Sequence, residues 1–277
     1  MSHPSIYCKL LEKGKITPNF YCSDEFRIRA KIREVTHKDG YVFWAWEDTD
    51  ASLIHPPIND ETFKFTMLDL DWNKNIWSDF QDYKPIWGIP KFLDYEFIFD
   101  PQAFQNMEGG QWQVFRKNCR KWPRKFSSDV NVLQYKWVSQ YVKEWGANRL
   151  WEELSELFIK WVRNKPDNEE IQGDEIMLSY LQSGENRKVL YNNKRGDIYG
   201  VNIWDFNYKF INFRFTFNPP EDFLSEYMRI LFYTDPDILR QNKWVNDGGC
   251  LGSESLRKFK LKMNPMWARK VMSWEKE

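Results

Sequence analysis

The chain has no excess charge of either sign: 40 Lys and Arg face 40 Asp and Glu over 277 residues. That balance excludes a global pull toward nucleic acid or anionic lipid, so any such attraction must be local. Histidine is scarce. His3, His37 and His55 all fall in the first fifth of the chain, which excludes a mechanism centred on a C-terminal His and disfavours a nucleophilic triad. Cys8, Cys22, Cys119 and Cys250 are scattered. Their spacing fits neither a zinc site nor a redox pair, so no metal is expected and the thiols read as reduced. No apolar run approaches ~18 residues, so no membrane span is expected. The start, Met1-Ser2-His3-Pro4-Ser5, lacks the charged and apolar regions of a secretory signal. These absences together point to a cytoplasmic protein.

Large rings are abundant. There are 15 Trp, 13 Tyr and 21 Phe against 13 Gly, and 42% of residues are hydrophobic. Such a chain can fill a substantial core and is not a disordered one. The ring load reads first as packing, with an aromatic-walled pocket or a base-stacking surface as the sharper alternative.

Pattern divides the chain near residue 92. From Phe26 to Val35 apolar Phe26, Ile28, Ala30 and Ile32 alternate with Arg27, Arg29, Lys31 and Arg33, the period of a strand. Lys38-Asp39-Gly40 is a turn signal, and Tyr41–Trp46 returns as a hairpin partner. Phe63–Met67 and Ile86–Ile89 read as further short strands. Residues 1–92 are therefore expected to form a strand-rich lobe and residues 93–277 a second one. In the second, Pro101–Phe104 opens a short helix. Val132–Trp145 and Leu150–Val162 carry apolar residues at helical spacing. Lys188–Tyr191, Ile198–Phe206, Phe210–Phe217 and Trp244–Val245 read as strands. Helices are expected from Phe223 to about Tyr233 and from Gly252-Ser253 through Lys260.

Two segments carry recognisable motifs. The first is Leu93-Asp94-Tyr95-Glu96-Phe97-Ile98-Phe99, then Gly110 and Phe115-Arg116-Lys117-Asn118. The second runs from Val245-Asn246-Asp247-Gly248-Gly249-Cys250-Leu251-Gly252 through Leu256-Arg257 and Lys260 to Pro265. Together they resemble the C-terminal transferase domain of lysylphosphatidylglycerol synthases and their stand-alone relatives. Those belong to the N-acetyltransferase-like superfamily, near the aminoacyl-tRNA-dependent peptidoglycan transferases. The resemblance covers about two thirds of the chain, from Leu93 to Pro265. It departs at Lys117, where the family has Arg, at Gln113, where it has Tyr, and at Ser255, where it has Gly. Gly248 and Cys250 replace two acidic residues. What the resemblance implies is an α/β fold of mixed sheets with flanking helices, in tandem N-acetyltransferase-like lobes.

An acyl transfer to an amine or hydroxyl follows from the same resemblance. Such chemistry needs two reactants oriented and an oxyanion stabilised. Asn246, Arg257, Lys260 and Asn118 are the expected substrate-binding residues, with Arg257 and Lys260 three apart on one helical face. No catalytic residue stands out, and Cys250 reads as a packing residue rather than a nucleophile. The donor would be aminoacyl-tRNA or an acyl-coenzyme A. The turn Asn218-Pro219-Pro220-Glu221-Asp222 has no Gly, two Pro without N–H groups and two carboxylates, which disfavours a pyrophosphate there. Arg116, Lys117, Arg120 and Lys121, with Arg124 and Lys125, could gather on a helix as a phosphate or RNA contact. Two further readings stay open: an N-acyltransferase acting on a nucleic-acid or small-molecule amine with another donor, and a non-catalytic binding protein on a degenerate transferase fold.

Overall fold

The computed structural model describes residues 5–37, 39–46, 49–53, 57–59, 61–62, 74–78, 89–126, 130–163, 172–183, 185–250 and 252–275. Among them are twelve strands and ten α-helices. The first part holds α1 (Ile6–Lys13), α2 (Asp24–Arg29), β1 (Ile32–Thr36), β2 (Tyr41–Trp46), β3 (Thr49–Leu53), β4 (Ile58–Asn59) and β5 (Lys74–Ser78). Then come β6 (Ile89–Phe99), α3 (Ala103–Asn106), α4 (Gln113–Cys119), β7 (Leu133–Trp137), α5 (Val138–Trp145), α6 (Ala147–Arg163) and α7 (Gln172–Ser183). The chain ends with β8 (Arg187–Asn192), β9 (Ile198–Phe206), β10 (Phe210–Phe217), α8 (Leu224–Tyr233), α9 (Pro236–Leu239), β11 (Trp244–Asn246), α10 (Glu254–Lys262) and β12 (Trp267–Glu275). The class is mixed α/β, with helices flanking a mixed sheet.

The strands follow one path, β1-β2-β3-β5-β12-β6-β11-β10-β9-β8-β7, with β4 on the side of β2. The path contains a repeat. Antiparallel β1-β2-β3 leads into a parallel β3–β5 pair, and β12 and then β6 follow. Antiparallel β8-β9-β10 leads into a parallel β10–β11 pair, and β6 and then β12 follow. Each half therefore inserts its last strand between two strands of the other. Residue 92, the expected boundary between two lobes, falls inside β6.

Two large clusters of apolar side chains, with a smaller third around Trp122, Leu190, Leu224 and Met228, cover the sheet. In β9, Val201 and Ile203 belong to one and Trp204 and Phe206 to the other, as the alternation of a strand requires. The first cluster lies under α1, α2, α5, α6 and α7, with Tyr7, Leu10, Phe26, Tyr141, Leu154 and Tyr180 buried. The second lies under α3, α4, α8 and α10 and is dense in rings, including Phe104 stacked on Tyr233 at 4.0 Å. Among the described residues the rings are thus mostly core.

Several elements differ from the sequence reading. Residues 26–29 are helical, not extended: Ser23 caps α2 through its hydroxyl, which accepts from Phe26 N at 3.1 Å, and Asp24 and Glu25 occupy the first turn. Those features favour a helix start, and Ile28 is exposed rather than facing a core. The expected helix over 132–145 divides into β7, paired antiparallel with β8, and α5. The expected β1–β2 hairpin is present, and β9 and β10 have the expected bounds. The strand expected at Phe63–Met67 lies outside the described residues, as does 86–88. No described helix is long and apolar enough to cross a membrane.

Candidate functional site

The parallel β10–β11 pair is short. Phe210 faces Trp244, Ile211 faces Val245 and Asn212 faces Asn246, and there the pairing stops. β10 continues to Phe217 beside β9 alone, while the chain beyond Asn246 turns away. Two strands that diverge in this way open a crevice beyond their C-terminal ends, a usual place for a ligand.

Buried polar groups shape this region. Asp247 is the centre of one set: its Oδ2 accepts from Arg229 Nη1 at 2.7 Å and from the Tyr233 hydroxyl at 2.9 Å. Lys260 Nζ lies 3.1 Å from Asp247 Oδ1. The same ammonium donates to the carbonyls of Asp247, Gly248 and Gly249 at 2.5, 3.2 and 2.6 Å. It therefore holds Asp247–Gly249, the start of the loop after β11. Burial pushes the Lys260 pKa down, against the pull of Asp247. Burial and the Asp247 charge both push Tyr233 well up. Asn118 of α4 donates to Glu226 Oε1 at 3.1 Å, one turn from Arg229 on α8.

A second set joins β6 to this loop. Glu96 Oε2 accepts from Asn246 Nδ2 at 3.0 Å and from Arg269 Nε at 2.8 Å. Asn246 Oδ1 in turn accepts from Gly248 N at 2.9 Å. Asp94 Oδ2 accepts from Cys250 N at 2.5 Å. A Cβ on Gly249 would lie 2.7 Å from Asp94 Cγ, so that position needs glycine for space. The carboxylates missing from the motif at 248 and 250 thus have neighbours at Asp247, Asp94 and Glu96.

A third set secures the segment before α2. Phe20 N donates to Glu96 Oε1 at 2.7 Å, and Arg269 Nη2 donates to Pro18 O at 2.7 Å. Ser23 Oγ donates to Asp205 Oδ2 at 2.8 Å. Asp205 also accepts from Tyr180 at 2.6 Å, Asn212 at 2.9 Å and Arg214 Nε at 2.7 Å. Arg214 stacks near Phe20 and Phe26, at 4.3 and 4.8 Å. Residues 18–23 are therefore stitched to β6, β9, β10 and β12.

Of the residues expected to bind substrate, Asn246 at the end of β11 and Lys260 on α10 bind the same loop and are buried. Asn118 is buried and reaches that set through α8. Arg257 stands apart. Its side chain is 47% exposed, with Glu254 at 3.7 Å, and lies 5.5 Å from the Tyr95 ring. Arg257 and Lys260 thus occupy different environments despite their spacing. The basic run 116–125 is not one helix, because α4 ends at Cys119. Arg116 donates to Met107 O, Lys121 lies 3.9 Å from the Phe223 ring, and Lys125 pairs with Glu221 at 3.0 Å. Lys117, Arg120 and Arg124 are exposed. Cys250 is buried, and burial pushes its thiol up to about 11 although Lys260 opposes the shift. Among the described residues no group of three metal-ligating side chains exists. Asp247, Arg229, Tyr233 and Glu226 were not legible as a set, since only Asp247 lies in a motif.

The chain is similar over nearly its full length to solved structures. A conserved protein of unknown function from Bacteroides thetaiotaomicron matches with TM-score 0.66 and 15% identity, over 93% of this chain and 90% of that one. A protein named L-PGS from Bacillus licheniformis matches with TM-score 0.60 and 12% identity, over 100% and 93%. The C-terminal domain of a lysylphosphatidylglycerol synthetase from Agrobacterium fabrum matches with TM-score 0.57 and 12% identity, over 98% and 92%. This is the fold of those synthetase domains. No protein-family model and no curated protein matches the sequence. At these identities the likeness is one of fold, and function has to be argued from the site.

The turn from β10 to α8 completes the site. Pro219 and Pro220 lack N–H groups, and Phe223 adopts a left-handed φ of 67°. Glu221 Oε2 accepts from Trp122 Nε1 at 2.8 Å and Lys125 Nζ at 3.0 Å. Burial would raise the Glu221 pKa, but these two donors win and lower it. A carboxylate held ionised at the start of α8 opposes a phosphate at that helix end.

Proposed function

We propose that this chain transfers an acyl group, in particular an aminoacyl group, to an amine or hydroxyl acceptor at the β10–β11 divergence. The fold shared with lysylphosphatidylglycerol synthetase domains supports aminoacyl transfer. The observation that carries the donor choice is the β10–α8 turn. Its prolines and the tethered Glu221 make a poor cradle for the coenzyme A pyrophosphate. Aminoacyl-tRNA is therefore the preferred donor, with exposed Lys117, Arg120 and Arg124 as candidate contacts to its backbone. Among the substrate residues, exposed Arg257 is assigned to an anionic group of donor or acceptor. Asn246, Lys260 and Asn118 are assigned as positioning residues that hold the crevice wall.

A transfer assay tests this. The intact chain is incubated with tRNA charged with a labelled amino-acid mixture and a panel of amine and hydroxyl acceptors. Label leaving tRNA for an acceptor, faster than spontaneous deacylation, is the expected result. Label released only at the spontaneous rate, with acetyl-coenzyme A binding in the low-micromolar range, would overturn the donor assignment.

A further inference from the structure

The other end of the parallel pair carries a separate feature. Lys209 immediately precedes Phe210, and Lys243 immediately precedes Trp244, and Phe210 and Trp244 are parallel register partners. The register thus sets two lysines side by side at neighbouring strand starts, about one strand spacing of ~4.8 Å apart in backbone. Like charges so placed repel and destabilise a sheet. A third lysine, Lys15, arrives from the segment between α1 and α2. With Tyr208, Gln241 and Asn242, these three line an open depression of about 500 Å³, within the size range of small-molecule sites.

The depression is built rather than incidental. Lys209 Nζ donates to Thr17 Oγ1 at 2.7 Å and Lys243 Nζ to Asn207 O at 2.9 Å. Each bond fixes an ammonium through one of its three donors. The Tyr208 hydroxyl donates to Ile16 O and ties down the segment that bears Lys15. Two lining residues, Lys15 and Asn242, have left-handed φ values of 54° and 49°, a backbone state that is costly away from glycine. Among the described residues none of the three lysines has a carboxylate within ion-pair distance. Burial pushes Lys209 and Lys243 down, with Arg269 adding to the first and Glu12 opposing at the second. Asp100 lines only a smaller adjoining depression of about 170 Å³.

We propose that this depression binds a small phosphate-bearing molecule, whose oxyanion bridges Lys209, Lys243 and Lys15. The anion supplies the close counter-charge that the three ammonium groups otherwise lack. The site is distinct from the acyl-transfer crevice, which lies beyond the opposite ends of β10 and β11, and it stands whether or not that reading holds.

The test is calorimetric titration of the intact chain with inorganic pyrophosphate at low salt, where such contacts are least screened. Saturable one-site binding is expected. Lys209→Met and Lys243→Met keep the aliphatic stem and drop the charge, and each should weaken binding about tenfold or more. Lys15→Gly removes the third charge and relaxes the left-handed backbone, so it keeps the fold while weakening binding. Thermal melts confirm that each variant is folded. Absence of saturable binding, or affinity unchanged in all three variants, overturns the proposal. Single-stranded RNA that binds these lysines while pyrophosphate neither binds nor competes overturns it as well.

Discussion

Asp247→Asn is the most informative single change at the crevice. It keeps size and leaves an oxygen for the Tyr233 hydroxyl, but removes the one carboxylate that faces both Arg229 and Lys260. The Asp247 side chain is 1% exposed, and those of Arg229 and Lys260 are 10% and 3% exposed. Removing one partner from a buried ion pair typically costs about 3–5 kcal/mol, because the remaining charge is stranded out of water. Two cations are stranded here, so the loss should reach at least the lower end of that range. At roughly 2–4 °C per kcal/mol for a chain of this size, the melting temperature should fall by about 10 °C. Guanidinium titration of both proteins measures the difference. A second prediction is built in. Lys260→Met should destabilise Asp247→Asn less than it destabilises the parent, since an unpaired ammonium is then relieved. The pH response has a definite sign. The folded pKa of Lys260 lies below its ordinary value, so between those two values the unfolded chain binds more protons. Its contribution to stability then rises with pH across that alkaline window. Without Asp247 the folded value drops further, and the window widens. A change below about 1 kcal/mol with additive Lys260→Met would refute the argument that these charges depend on one another.

Arg257→Ala should move the melting temperature little, as an exposed side chain, while lowering transfer or donor affinity about ten- to a hundredfold; lost stability with unchanged affinity would remove it from the site. Gly249→Ala should destabilise measurably in a thermal melt, because its Cβ would displace Asp94 from Cys250 N. Iodoacetamide at neutral pH should label Cys250 only after unfolding, since its thiol is buried and pushed up to about 11; mass spectrometry of the native protein decides it. Acetyl-coenzyme A should show no low-micromolar binding by calorimetry.

The sheet at the crevice was readable because its strands alternate cleanly between clear turn signals. β9 and β10 fall where Ile198–Phe206 and Phe210–Phe217 place them. β7 was hidden because Leu133, Trp137, Val138, Tyr141 and Val142 continue one helical spacing across a strand-to-helix junction with neither Gly nor Pro. α2 was hidden because a six-residue helix fits two periods equally well, and only the Ser23 cap decides it. The motif residues Asn246 and Lys260 meet at the loop after β11. Their partners were not legible, because Lys260 binds backbone carbonyls and Asp247 meets Arg229 from another element. Carbonyl positions and cross-element ion pairs are products of the fold and leave no spacing in the chain.

The reciprocal insertion of β6 and β12 has a consequence for synthesis. Translation delivers the first half early, and many chains fold that half while the rest is still being made. Here one edge of β5 pairs with β3, but its other edge finds a partner only in β12, whose residues 267–275 are made nearly two hundred positions later. Until then β5 presents an unsatisfied edge, open to wrong pairing. The nascent chain should therefore depend on chaperone shielding or fast release more than its size suggests, and a ribosome stalled before residue 267 should hold a protease-sensitive product.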